Sequence, residues 1–107
     1  EMCIRDSNCI KAWRGIGWCS FISQKYEQAM KYYEKIIEQK PLAIDYMNAG
    51  HVAWVMGDIQ KAAVFYGKAI TASGNRERFL EMFHKDEESL LTQGIREEDI
   101  PLMLDLL

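Results

Sequence analysis

The chain has 107 residues, 49% of them hydrophobic and 27% charged, with a net charge of −3 and a pI near 5.4. That composition suits one folded domain or a short repeat array and excludes a disordered chain. The acidic balance excludes binding through nucleic-acid phosphates, which needs a clustered basic surface, and no stretch is long and apolar enough to cross a membrane.

Residues 1–7, Glu1-Met2-Cys3-Ile4-Arg5-Asp6-Ser7, resemble the translated end of a transposon-derived sequencing adaptor. Such a segment is set aside from fold reasoning. It implies a metagenomic fragment whose true N-terminus, with any signal peptide, is missing. The three cysteines are Cys3, Cys9 and Cys19. They make no CxxC pair, and no histidine stands at metal-finger spacing, so free thiols in a reducing, cytoplasmic compartment and no bound metal are expected.

From residue 8 onward the chain reads as helices. Only Pro41 and Pro101 interrupt it, and no run of β-branched residues occurs. Apolar residues recur at i, i+3, i+4 and i+7, which gives each helix one buried stripe. Helices are expected over about 10–23, 26–39, 43–56 and 59–72. Gln24-Lys25 and Gly57-Asp58 supply tight turns, and Pro41 and Gly74-Asn75 break the chain between pairs.

The first pair reads Trp13-x-x-Ile16-Gly17, Tyr26-x-x-Ala29-x-x-x-Tyr33-x-x-Ile36-Ile37, Pro41. The second reads Tyr46-x-x-Ala49-Gly50, Ile59-x-x-Ala62-x-x-x-Tyr66-x-x-Ala69-Ile70, Gly74. Every matched position is offset by 33 residues. Gly17 and Ala29 are small where two helices cross, and glycine costs about 1 kcal/mol in a helix interior, so a packing reason is implied. Gly15-Ile16-Gly17 follows no strand and is not read as a phosphate loop.

Residues 76–107 stay helical but lose the repeat. The place of Gly17 and Gly50 falls on Phe83, and that of Ala29 and Ala62 on Ile95, where a large side chain pushes helices apart. A longer helix is expected over 76–92, packing through Phe79, Met82, Phe83, Leu90 and Leu91 and ended by Gly94. A last helix starts near Asp99 with Pro101 in its first turn. Charge divides at the same point. Residues 8–75 carry eight basic residues against five acidic, and residues 76–107 four against nine.

The repeated pattern resembles the tetratricopeptide repeat, W-x-x-L-G-x-x-Y, A-x-x-x-F, P on a period of about 34 residues. The likeness covers residues 10–74. Ser20 and Ala53 stand in place of the pattern's tyrosine, Gly74 in place of the second proline, and the link from Pro41 to Tyr46 is one residue short. The resemblance implies an all-α, right-handed α-solenoid of two helical hairpins plus a capping helix pair. Repeat 1 spans about 10–42, repeat 2 about 43–75 and the cap 76–107, all within a single domain over 8–107.

The resemblance also implies a concave groove, lined by the first helix of each pair, in which a protein or peptide partner lies. Mapped onto this chain, the groove takes Lys11, Arg14, Trp18 and Phe21 from the first repeat. Met47, Asn48, His51, Trp54 and Val55 come from the second, and Leu80, Glu81 and His84 from the cap. Trp18, His51 and His84 step by 33 and are expected in a row. One subtype of the family holds chaperone C-termini in a basic clamp. Here Arg14 and Asn48 fit two of its positions, but Trp18 replaces its second asparagine and Glu77 and Glu81 its final basic pair, so such tails are expected not to bind.

No nucleophile–base pair, carboxylate pair on an apolar face, or cofactor motif is legible, so neither catalysis nor a cofactor is expected. The leading reading is a protein-interaction scaffold within a larger bacterial-type repeat protein. The alternative is the structural C-terminal end of a longer solenoid, self-associating through residues 100–107, where Leu102, Met103, Leu104, Leu106 and Leu107 are apolar on most sides.

Overall fold

The computed structural model describes residues 7–107. The segment read as adaptor translation lies outside these residues except for Ser7, which opens the first helix. Six helices follow in order: α1 (Ser7–Ile22), α2 (Tyr26–Gln39), α3 (Ala43–Val55), α4 (Ile59–Ser73), α5 (Arg76–Thr92) and α6 (Asp99–Asp105). No strand occurs among the described residues. The two hairpins α1–α2 and α3–α4 stack through α2 against α3.

The small residues sit where the 33-residue offset places them. A Cβ on Gly17 would come within 3.1 Å of the Tyr33 ring, and one on Gly50 within 2.7 Å of the Tyr66 ring. Ala29 and Ala62 are fully buried, as are Tyr33 and Tyr66. Each hairpin therefore closes by seating a tyrosine of its second helix on a glycine of its first. Full burial of a large apolar side chain stabilises the fold by about 1.5–3 kcal/mol.

The turns repeat as well. Gly57 adopts φ 93°, and the Asp58 amide donates to the Ala53 carbonyl at 2.9 Å, closing α3. In the first hairpin the same position is Gln24, at φ 66°, and the Lys25 amide donates to the Ser20 carbonyl at 2.8 Å. The left-handed conformation disfavours any side chain with a Cβ. Asp58 accepts from the Lys61 amide at 3.1 Å and Asn75 from the Arg78 amide at 2.8 Å, capping α4 and α5.

Helix α5 departs from the repeat in its path. It begins beside the second hairpin, with Phe79 and Phe83 at 5.7 and 5.6 Å from the Tyr66 ring. It ends against the first. Gln93 at its C-cap donates through Nε2 to the Ile22 carbonyl at 3.3 Å and accepts from the Tyr26 hydroxyl through Oε1. It thus runs diagonally back over the side lined by α1 and α3. The cause is Phe83. At the position where α1 and α3 carry glycine to face their own hairpin partner, α5 carries an aromatic buried against the preceding repeat. Helix α6 buries Ile100 and Met103, and Arg76 Nη2 donates to the Leu104 carbonyl at 3.0 Å, tying its end to the start of α5.

Cys19 is a free, exposed thiol, as expected, and Cys3 lies outside the described residues. Among the described residues no helix is long and apolar enough to cross a membrane, and no cluster of three or more His, Cys, Asp or Glu residues stands ready for a metal ion.

Candidate interaction surface

The expected groove residues lie on α1, α3 and α5, and the packing of α5 across α3 covers some of them. His51 and Trp54, expected along an open wall, are instead buried beneath it. The ring of Phe83 stacks on Trp54 at 6.5 Å and meets His51 edge-on at 5.6 Å. Phe21 and Met47 are buried too. Phe21 lies between Trp18 at 5.3 Å and Tyr26 at 6.0 Å. Trp18, Asn48, Val55 and Leu80 are half-buried, while Lys11, Glu81 and His84 are exposed. The expected row of Trp18, His51 and His84 is thus broken at its centre, because His51 turns into the core and His84 pairs outward with Glu87.

Two polar constellations hold this face. Arg14 donates through Nε to Asp45 Oδ1 at 2.7 Å and through Nη2 to Asp45 Oδ2 at 2.8 Å. Asp45 is fully buried and also accepts from the Leu42 amide at 2.8 Å, while the Arg14 side chain is 28% exposed. The fork-on-fork geometry is the strong form of this contact. Asp45 in turn holds the Arg14 proton more firmly, working against partial burial. Arg14 is therefore committed within the chain and is not a free cation for a ligand carboxylate.

The second constellation is Tyr66–His51–Asp86. His51 Nδ1 lies 2.6 Å from the Tyr66 hydroxyl and Nε2 lies 3.1 Å from Asp86 Oδ2. Burial lowers the His51 pKa, outweighing the opposing hydrogen bond and charge of Asp86. A neutral imidazole has one donor and one acceptor, and a carboxylate only accepts. Nε2–H therefore donates to Asp86, and Nδ1 accepts from Tyr66 O–H. Burial, and then the Asp86 charge, push the Tyr66 hydroxyl well above its ordinary pKa, so it keeps the proton it donates. The chain α4–α3–α5 is thus pinned through three side chains.

Neither acid was singled out in the sequence, although a signal exists. Asp86 lies on the same helical stripe as Phe79, Phe83 and Leu90, and Asp45 on the stripe of Ala49 and Val52. An acid on an apolar stripe implies a buried partner.

The tetratricopeptide repeat family matches the chain at residues 10–41 and again at 46–76, the two stretches that form the nested hairpins. The chain belongs to the tetratricopeptide repeat family. No curated protein and no solved structure matches it. Tetratricopeptide repeats generally mediate protein–protein interaction, and proteins built from them generally serve as scaffolds. Apart from Arg76, helices α5 and α6 lie beyond both matched stretches. The helix that crosses the tetratricopeptide face thus lies outside the matched stretches.

Proposed function

We propose that this chain is a non-catalytic protein-interaction module that receives a peptide or protein segment on the side lined by α1 and α3, alongside α5. The crossing of α5 supports this reading. That face already holds an amphipathic helix through aromatic anchors, with Gln93 and Asp86 making its polar contacts. Helix-in-groove recognition uses the same elements. Of the expected groove, Lys11 on α1 and Glu81 and His84 on α5 are exposed, and Trp18 on α1 is half-buried. The test compares partner affinity of the full chain with that of Trp18→Ala and of Lys31→Ala, the latter on the exposed face of α2. A loss of tenfold or more with Trp18→Ala alone supports the reading. Equal affinity in both, or loss only with Lys31→Ala, overturns it.

A second reading, a structural segment of a longer solenoid, is favoured by one feature of α1. Ala49 and Val52 are fully buried in α3, the helix that packs against α2. Their counterparts 33 residues earlier, Ile16 and Cys19, are exposed. Helix α1 thus presents a bare face of the kind another hairpin covers. Self-association through residues 100–107 belongs to this reading. Light scattering at two protein concentrations separates the two, since a self-associating chain gains mass with concentration.

A further inference from the structure

We propose that the cleft between α6 and the α3–α4 turn takes an apolar anchor flanked by lysine or arginine on a partner protein. The cleft encloses about 470 Å³ and is lined by Trp54, Ile59, Leu102, Met103 and Leu106, with Asp99 and Asp105 on its edge. Trp54 and Met103 form a buried floor. Ile59, Leu102 and Leu106 remain 51, 63 and 61% exposed. Single exposed apolar residues are ordinary, but three sharing one cavity with a tryptophan floor form a binding surface. The volume lies in the range of small-molecule sites and exceeds one side chain, so it fits two neighbouring anchors on one turn of a helix.

Charge selects the occupant. Residues 96–107, which supply most of the lining, hold four acids and one base, Arg96. Arg96 is already spent on Asp99, at 3.1 and 3.2 Å. Asp105 stands in the last turn of α6, next to the Leu104 carbonyl that Arg76 holds, and adds negative charge to the rim. A second copy docking by two-fold symmetry would bring this acidic rim against the same rim. Like charges so placed repel, whereas a basic flank complements the acidic rim. The occupant is therefore a cationic, apolar-anchored segment of another protein. This surface is separate from Trp18 and the open part of the α1–α3 side, so its test stands or falls independently of the function proposed above.

The probe is a display library of random 12-residue peptides panned on the full chain and counter-selected on the Leu102→Ser/Leu106→Ser variant. Both leucines are exposed and α6 keeps Ile100 and Met103, so the variant folds, as far-UV circular dichroism will verify. Enriched peptides are expected to pair large apolar residues with Lys or Arg. The best of them should bind the double variant at least tenfold more weakly and Asp105→Asn at least threefold more weakly, with affinity falling as salt rises. Peptides without a basic preference, unchanged binding to Asp105→Asn, or no enrichment would overturn the proposal. So would mass that grows with concentration and reverts in Leu106→Ser, which would make the occupant a second copy.

Discussion

Replacing single helical glycines by alanine tests the nesting of the hairpins directly. Alanine favours an exposed helix interior by about 1 kcal/mol over glycine. At Gly15 and Gly67 an added Cβ meets nothing within 4 Å, so the full gain is expected there. At Gly50 it would stand 2.7 and 2.8 Å from Tyr66 ring carbons. That ring has little room to yield. It is fully buried, with His51, Phe83, Phe79 and Trp54 centred 5.5, 5.6, 5.7 and 6.3 Å away and its hydroxyl on His51. Overpacking costs about 1–3 kcal/mol, and a strained Tyr66–His51 hydrogen bond adds about 1 kcal/mol. Set against the helical gain, Gly50→Ala should destabilise by about 1–3 kcal/mol, a fall in Tm of roughly 5–15 °C. At Gly17 the approach to Tyr33 is 3.1 Å, which a shift of a few tenths of an ångström relieves. There the two effects nearly cancel. Urea unfolding followed at 222 nm should rank Gly15→Ala above wild type, Gly17→Ala close to wild type, and Gly50→Ala below. Equal stability of Gly50→Ala and Gly15→Ala would refute the seating of tyrosine on glycine.

Three further outcomes are expected. Gln24→Gly should stabilise by up to about 1 kcal/mol, since a side chain at φ 66° costs about 1–2 kcal/mol and the added freedom of the unfolded chain takes back part of it; no gain in urea would contradict this. Because burial lowers the His51 pKa, the unfolded chain takes up its proton near the ordinary value of about 6.5 while the folded chain does not. Stability from this group is therefore present above that pH and lost as pH falls below it. Tm measured from pH 8 to 5 should decline more steeply in wild type than in His51→Gln, and parallel curves would dismiss the role of His51. Peptides ending in the acidic tail of a chaperone should leave fluorescence polarisation unchanged, because Arg14 is bound to Asp45 and Glu77 and Glu81 are exposed acids; micromolar binding would overturn that.

The helices and their crossings were legible because both obey short-range rules. The apolar period fixes each buried stripe, and the constant offset carries Gly17 onto Gly50 and Tyr33 onto Tyr66. Even the turn at Gln24 could be read from Gly57. What the offset could not supply was the path of α5. Extending the register past Gly74 put His84 and Leu80 in line with the groove helices, as though α5 were a third repeat. Phe83 marks the failure of that register. Its side chain has no place between nested helices, so the helix swings until Phe83 lies on Trp54 and Tyr66. The burial of His51 and Trp54 is completed by that swing, which lays Phe83 on both rings over their packing against Tyr66. The Arg14–Asp45 pair joins two repeats at a separation of 31 residues, which neither helical nor repeat spacing reveals.

The swing also limits how the module can work. A partner that took the place of α5 would expose Phe79, Phe83 and Leu90, all fully buried. At about 1.5–3 kcal/mol for each, the loss is roughly 5–9 kcal/mol, or about a thousandfold or more in affinity. The partner would also leave His51 without Asp86 in a buried site, adding the cost of an unsatisfied donor. On the proposed reading, a segment lying beside α5 would meet none of these costs. Addition alongside is therefore favoured over displacement, and the two are separable by amide exchange. In the bound complex the α5 amides around Phe83 and Asp86 should remain as protected as in the free chain, whereas displacement would release them.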